Sequence, residues 1–389
     1  MIAAAFSRAL QRALVEDPDF ARLRGAARST LACLLTAGVG VSWALHHDET
    51  PTLAVPGALF AMIAPLFLRE ARWSSWLTSL LIFYMCNCAT FAGATALALQ
   101  PAQRDAGALL IVFVGILCQS LGARAVGAAM LMLVSFYLGL YLHPSPTRLK
   151  EMLTAMAVVP FIVAFVGRVV IPMERGRAPA PSFMFALPHT IVAAKARARA
   201  AVRYVAVHVT GRQTERPLST VLAHRFHRLA WRPALVATVA ALLAILMGGE
   251  LSEDRSMWAV ISTFVVFLGT TSYQGTRARV IKRIAGTLSG AAASVLLITV
   301  CGHQAWILVA AMALSVFGWA YYILHAYARG VFFITMLVGL VYGQLGVAIV
   351  PLAELRIEEV CAGCLVSLAA ALLLMPSTTA RAGAVLARE

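Results

Sequence analysis

The chain has 389 residues, of which 61% are hydrophobic and 13% are charged, and its formal net charge is +15 at pH 7. Soluble globular domains contain about 25% charged residues, so this composition, with a mean hydropathy of +0.82, excludes an ordinary soluble domain. It predicts a polytopic membrane protein. The positive charge does not indicate nucleic-acid binding, because the cations are distributed over alternate loops, as the positive-inside rule describes for membrane proteins.

The first segment, residues 1–27, is predicted to lie at the cytoplasmic membrane surface. Large apolar residues recur every four positions from Ile2 to Leu14, which is typical of an amphipathic helix in the membrane interface. The stretch up to Ser29 lacks a long apolar core and contains several arginines. We therefore expect no secretory signal here.

Two groups of six apolar segments follow, each close to the roughly 20 residues that a helix needs to cross a bilayer. The first group covers 28–46, 52–68, 75–99, 106–121, 124–142 and 151–171. The second group covers 233–249, 257–272, 281–301, 305–325, 328–349 and 357–376. We predict an all-α polytopic membrane protein with about 12 transmembrane helices.

The charges of the loops predict which side of the membrane each loop faces. Acidic loops, such as those that contain Glu49 and Glu354, are expected in the periplasm. Basic stretches, such as those around Arg69 and over 274–283, are expected in the cytoplasm. The alternation places both termini in the cytoplasm, including a tail over 377–389.

A long polar stretch, residues 172–232, separates the two groups of apolar segments. Prolines punctuate its start, and many arginines follow on a helix-like run. We predict a cytoplasmic linker that is held on anionic lipid. A regulatory or partner-binding helix is the alternative.

The two groups of segments are predicted to be repeats, 28–171 and 233–376. Four charged residues recur 208 positions later: Arg24, Arg69, Arg148 and Glu151 reappear as Arg232, Arg277, Arg356 and Glu359. Six spans in each repeat make the two halves parallel, related by an axis along the membrane normal.

The segment from Met257 to Gly290 is predicted to form a membrane helix, a basic hairpin and the start of another helix. Its cations are Arg277, Arg279, Lys282 and Arg283. Cations at the mouth of a hydrophobic helix are costly unless water, lipid phosphate or an anion contacts them. Gly286 and Gly290 form a small-xxx-small pair, which predicts close helix packing.

The same segment resembles the second membrane half of the fusaric acid resistance family, the aromatic acid exporters. The resemblance extends over about 230–376 and rests on Trp258, Thr263, Arg283, Gly286, Thr287, Gly290, Arg356, Gly363 and Pro376. It implies a secondary exporter of aromatic carboxylic acids or related amphipathic organic anions in a bacterial inner membrane. It also implies a periplasmic adaptor protein as a partner.

Six residues are candidates for substrate binding. Arg283 is the strongest, because it lies one turn before a Gly-Thr pair and a guanidinium can hold a carboxylate with two hydrogen bonds. Arg277 and Arg279 either contact the substrate or only set topology. Thr263 and Thr287 either contact substrate or hydrogen-bond to their own helix. The sixth is Arg356.

Three carboxylates are candidates for proton coupling. Glu358 and Glu359 open the last helix beside Arg356, and residues 356 and 359 share a helix face. Arg356 and Glu359 form either a simple ion pair at the periplasmic rim or the Arg-coupled protonatable carboxylate of a proton-driven carrier. Glu70, between Arg69 and Arg72, is the third candidate.

Other chemistries find little support in the sequence. It contains no nucleophile–base arrangement, phosphate-binding loop or dinucleotide motif, so we predict no enzyme, no cofactor and no ATP-driven transport. Cys361 and Cys364 have the spacing of half a zinc site, but no second pair accompanies them. We interpret this pair as buried small apolar packing, and nearly all of the seven cysteines lie inside apolar runs.

Three functions are therefore weighed. The first is a proton-driven exporter with a small organic anion as substrate. The second is an anion channel, because plant malate channels resemble one such six-span half and basic residues that line a pore select anions. The third is a non-transporting membrane scaffold. Membrane lipid is an expected partner, nucleic acid is not, and a homo-oligomer is left open.

Overall fold

The computed structural model describes residues 17, 20–70, 72–172, 229–251, 257–302, 304–344 and 348–375. The regular elements in these residues are all helical. The predicted amphipathic helix within 1–27, most of the linker 172–232 and the tail 377–389 lie outside the described residues.

The helices of the first half overlap the first six predicted segments. A short 3₁₀ turn, Pro51–Ala54, runs directly into α2, and a π-helical turn, Val166–Val170, continues α7. The helices are α1 (Ala21–His46), α2 (Val55–Phe67), α3 (Trp73–Leu97), α4 (Pro101–Cys118), α5 (Ala123–Leu142), α6 (Pro146–Met156) and α7 (Val159–Phe165).

The helices of the second half overlap the other six predicted segments. They are α8 (Trp231–Leu251), α9 (Met257–Phe267), α10 (Tyr273–Cys301), α11 (Ala305–Tyr322), α12 (Tyr327–Gln344) and α13 (Ile349–Leu374). Within the described residues, nine helical stretches are long and apolar enough to cross a membrane. Large apolar side chains such as Phe161, Trp306 and Leu373 are exposed on the outer surface, as contact with lipid requires.

The second helical stretch of each half is unusually short. Pro51–Phe67 and Met257–Phe267 are apolar but have fewer than 18 residues. The 11 residues of α9 rise about 16 Å, roughly half of the hydrocarbon thickness. The helix predicted over 257–272 therefore ends earlier, at Phe267, because the chain turns at Gly269 with a φ of 80°, a conformation that ends helices and favours glycine.

The basic stretch 274–283 is helical and not a hairpin. Ser272 caps α10, because its Oγ accepts a 3.3 Å hydrogen bond from the backbone N–H of Gly275. Arginine and lysine are good helix formers, so the cations occupy the first turns of α10. The sixth predicted segment, 151–171, is likewise divided into α6 and α7, where Pro160 lies in the first turn of α7.

The two halves pack against each other reciprocally. The first helix of each half contacts the fourth helix of the other, so α1 packs on α11 and α8 packs on α4. Within each half the third helix packs on the fifth, as α3 on α5 and α10 on α12. The same pairs of positions are therefore in contact in both halves.

Small residues bring α10 and α12 close together. A Cβ at Gly286 would lie 2.5 Å from the carbonyl oxygen of Ala328, and one at Gly290 would meet the carbonyl oxygen of Phe332. Neither position has room for a side chain. This is the close approach that the small-xxx-small spacing predicts.

Candidate functional site

The N-terminus of the short helix α9 meets a buried carboxylate from α13. Glu359 is fully buried, and its Oε2 accepts a 3.0 Å hydrogen bond from the backbone N–H of Trp258. The first N–H groups of a helix have no partner within the helix, and a negative charge is favourable at this end of the helix dipole. Glu359 therefore fastens the start of α9 to α13.

Arg356 lies one turn before Glu359 on the same face of α13. Its guanidinium carbon is 4.0 Å from the centre of the Trp258 ring, which is a close cation–π contact. The side chain is buried, and its Nε and Nη1 atoms have no hydrogen-bond partner among the described residues. A buried donor without an acceptor typically costs about 1–3 kcal/mol. An anion that accepted hydrogen bonds from these N–H groups would therefore bind favourably.

Arg283 supplies a second buried guanidinium, from α10. Its Nη2 donates a 3.2 Å hydrogen bond to the Oγ of Ser262 in α9, and its Nε has no partner in the described part of the chain. One turn further along α10, the hydroxyl of Thr287 is also buried without a described partner. The helices α9, α10 and α13 thus bring Arg283, Thr287, Arg356 and Glu359 into one buried polar cluster.

A small cavity adjoins Arg356 on the side of α10 and α12. Its polar and aromatic lining includes Trp258, Ser294, Thr335 and Tyr342. The volume is about 20 Å³, and one water molecule needs about 10–15 Å³. The cavity therefore has room for water but excludes an aromatic ring in this conformation.

Thr263 ties two helices together. Its hydroxyl is within hydrogen-bond distance of the Ala259 carbonyl oxygen in its own helix, at 3.0 Å, and of the Gly363 carbonyl oxygen in α13, at 3.3 Å. A Cβ at Gly363 would collide with the backbone of Ala259. The contacts of Thr263 are therefore those of a residue that joins helices.

Two of the candidate cations lie apart from the cluster. Arg279 reaches the opposite end of α9, where its Nη1 donates to the carbonyl oxygens of Val265, at 3.0 Å, and Leu268. Its guanidinium carbon is also 5.0 Å from the centre of the Tyr327 ring. Arg277 is exposed on α10. Arg279 thus satisfies backbone groups that a helix C-terminus leaves without partners.

The three candidate carboxylates have different surroundings. Glu359 belongs to the cluster, whereas its neighbour Glu358 is exposed. Glu70 lies between α2 and α3 in the first half, where its Oε1 accepts a 2.8 Å hydrogen bond from Ser79 and contacts Arg124. The structure therefore brings only Glu359 together with the buried arginines.

The position in the first half that corresponds to Arg356 has different contacts. Arg148, 208 positions before Arg356, donates 2.6 Å and 2.7 Å hydrogen bonds to Glu49 and Thr50. Its side chain is 33% exposed. The first half thus supplies its own carboxylate to this arginine and leaves it in partial contact with solvent.

Sequence reasoning missed several residues that surround the cluster. Trp258 was noted only as a motif residue, and Ser262, Ser294 and Tyr342 were not considered. A hydroxyl such as that of Ser262 is common in apolar helices, so only the helix packing shows that it meets Arg283. The tryptophan beside a buried arginine could have been found by pairing the two motif residues 258 and 356.

The second half of the chain matches a known family. Residues 235–370 match the family model described as fusaric acid resistance protein-like. The match confirms the resemblance predicted from the motifs over about 230–376. No curated protein and no solved structure gives a significant match to the chain.

Proposed function

We propose that this chain, in which residues 235–370 carry a fusaric acid resistance protein-like module, exports aromatic carboxylic acids or related amphipathic organic anions across a bacterial inner membrane. One observation carries the proposal. Arg283 and Arg356 are both buried in the module, on helices α10 and α13 that pack together, and each has guanidinium N–H groups that no described residue accepts. A carboxylate could accept from both, because charge-assisted hydrogen bonds to guanidinium groups are strong and directional.

The chemistry of the cluster suits an aromatic acid. The two guanidinium groups would hold the carboxylate, and the apolar wall of the adjoining cavity, with Trp258 and Tyr342, would contact the ring. Because the cavity is too small for a ring at about 20 Å³, binding requires α12 to separate from α10 and α13. We therefore assign this conformation to a closed state of a carrier that opens alternately to the two sides.

The architecture supports a carrier built from two parallel six-helix repeats. The short stretches Pro51–Phe67 and Met257–Phe267 occupy the same position in each half, and transporters commonly place their substrate site at such interrupted helices. The reciprocal packing of α1 on α11 and of α4 on α8 agrees with a two-fold relation. We propose repeats over 28–171 and 233–376, joined on the cytoplasmic side by 172–232.

Glu359 is the proposed coupling carboxylate. Its charge holds the N-terminus of α9 against α13 through the Trp258 N–H, so protonation would weaken that contact. The position of α9 and the protonation of Glu359 are then linked, which allows a proton entering from the periplasm to drive the anion outward. A periplasmic adaptor protein is proposed as the partner that receives the exported anion.

The decisive experiment measures transport by the purified chain in liposomes. A labelled aromatic acid is placed on one side, a proton gradient is imposed, and accumulation against the anion's own electrochemical gradient is followed. Uphill movement is expected. Movement that only follows the anion's electrochemical gradient would identify an anion channel instead. If neither the liposomes nor intact cells transported the acid, the scaffold function would be favoured.

A matched pair of variants ties the transport to the site. Replacing Arg283 and Arg356 together by Gln should abolish uphill transport, because no guanidinium then remains for the carboxylate. Lys150→Gln removes an exposed cation from α6 and should leave transport unchanged. Normal transport by the double variant would refute the assignment of the anion site.

A further inference from the structure

A second cavity lies where the two halves meet, and it is lined by Lys282, the neighbour of Arg283 in α10. It has a volume of about 410 Å³, which is within the range of small-molecule sites, roughly 300–1,000 Å³. Its walls come from Arg22 at the start of α1, Lys282 in α10 and the segment from Tyr322 to Arg329 that joins α11 to α12. It shares no residue with the cluster around Arg356.

The charge of this second cavity is entirely positive. Arg22, Lys282 and Arg329 line it, and no carboxylate does. In the described part of the chain none of the three forms an ion pair. The nearby Asp17 does not line the cavity. Its Oδ2 accepts 3.0 Å hydrogen bonds from the backbone N–H groups of Arg22 and Leu23. Three cations around a cavity that no carboxylate lines call for an anionic ligand.

Two buried polar atoms in the lining also lack a protein partner. Tyr327 is buried, and neither its hydroxyl nor the Nε2 atom of His325 has a hydrogen-bond partner among the described residues. Burial, reinforced by the charge of Arg22, lowers the pKa of His325 to about 4. The imidazole is therefore neutral at pH 7 and, in one tautomer, offers an N–H donor at Nε2.

We propose that this cavity binds a phosphate group, and that the headgroup of an anionic phospholipid supplies it. A phosphate has more acceptor oxygens than a carboxylate and can satisfy several cations and the Tyr327 hydroxyl together. The cavity lies among helix ends and tyrosines, which is the depth at which headgroups and aromatic belts occur. Basic pockets between membrane helices on the cytoplasmic side are suited to such headgroups.

The position of the cavity gives the bound lipid a structural role. Arg22 belongs to the first half, whereas Lys282 and Arg329 belong to the second. A headgroup that contacts all three would bridge the two halves at the proposed cytoplasmic face. The lipid should therefore raise the thermal stability of the whole chain, because it binds the folded state and not the unfolded one.

The test is lipid binding by the full-length chain in detergent, measured by native mass spectrometry and by thermal unfolding. Phosphatidylglycerol should bind and raise the melting temperature, whereas phosphatidylcholine, whose headgroup carries no net charge, should not. Arg329→Gln and Lys282→Gln should each weaken phosphatidylglycerol binding about tenfold or more. Arg277→Gln removes an exposed cation from α10 outside the cavity and should have no effect.

Tyr327→Phe provides an independent check that does not depend on net charge. The variant keeps the packed ring and removes only the hydroxyl, so it should fold normally and yet bind phosphatidylglycerol more weakly. The proposed site would be overturned if Arg277→Gln weakened phosphatidylglycerol binding as much as the cavity variants do. Equal binding of phosphatidylglycerol and phosphatidylcholine would overturn it too. Displacement of the lipid by millimolar inorganic phosphate would overturn the assignment to a phospholipid, because a soluble phosphate would then be the ligand.

Discussion

Arg356 stacks on Trp258 with its guanidinium carbon 4.0 Å from the ring centre, and the same two positions are in contact 208 residues earlier. There Arg148 donates a 2.7 Å hydrogen bond to Thr50. The contact is therefore common to both halves, while its chemistry is not. Glu49 neutralises Arg148, whereas Arg356 retains buried N–H groups that no described residue accepts. This difference favours substrate binding in the second half alone.

The first prediction compares these two arginines. Arg356→Gln should weaken the binding of an aromatic acid roughly ten- to a hundredfold, since a hydrogen bond to a charged group is worth about 1.5–3 kcal/mol. Arg148→Gln breaks a partly exposed ion pair, which is worth about 1 kcal/mol of stability at most, and should leave affinity unchanged. Titrating both purified variants with the same aromatic acid measures the two affinities. Equal losses would mean that both halves bind substrate.

The second prediction concerns the geometry that Arg283 provides. Arg283→Lys should retain part of the transport activity and Arg283→Gln almost none, because lysine keeps the charge but cannot form the planar fork. Both variants must be present in the membrane at normal levels. Full activity of Arg283→Gln would show that this arginine only sets topology.

The third prediction tests Glu359 against its exposed neighbour. Glu359→Gln imitates the protonated carboxyl, so it should abolish transport driven by a proton gradient. Exchange of labelled for unlabelled substrate, which requires no net proton movement, should persist. Glu358→Gln should behave as the unmodified chain. A normal dependence on the proton gradient in Glu359→Gln would exclude Glu359 as the coupling group.

The fourth prediction concerns the contact between α10 and α12. Gly286→Ala and Gly290→Ala should each lower stability by about 1–3 kcal/mol, the usual cost of overpacking, because the new Cβ meets the backbone of α12. Gly93→Ala in α3 is the control, since a Cβ there has no atom within 4 Å. Thermal unfolding of the purified variants measures the difference. Unchanged melting of both α10 variants would contradict the close packing.

The fifth prediction concerns topology. In a background without native cysteines, Glu354→Cys should react with an impermeant thiol reagent from the periplasm, and Arg277→Cys should not. Both positions are exposed, so access to the reagent depends on the side of the membrane. The reverse labelling would invert the proposed orientation and place the termini outside.

The sequence predicted the helices better than their ends. Apolar length identified the segments, because burial in lipid leaves a strong compositional signal. The end of α9 was missed because the apolar run continues to Leu268, while the turn at Gly269 depends on backbone conformation. The start of α10 was missed because its cations suggested a loop, although Ser272 caps a helix there.

The candidate site was predictable in part. Arg283 was identified because it lies one turn before a Gly-Thr pair, and Arg356 because it is one of the residues that carry the family resemblance. Arg279 belonged to the same charged run, but its contacts with the carbonyl groups of Val265 and Leu268 depend on how the chain folds back. Likewise, Glu358 and Glu359 are neighbours in sequence, and only the packing of α9 on α13 buries one of them.

Charges from two neighbouring helices hold the two ends of α9. Glu359 of α13 contacts its N-terminus and Arg279 of α10 its C-terminus, each with the sign opposite to that end of the helix dipole. If α9 slid alone, both of its ends would lose contact with these charges. That loss would be costly, because electrostatic interactions are strong in a medium of low dielectric constant. We therefore expect α9, α10 and α13 to shift as one rigid block, and neutralising Glu359 removes one of the two electrostatic contacts that keep this block together.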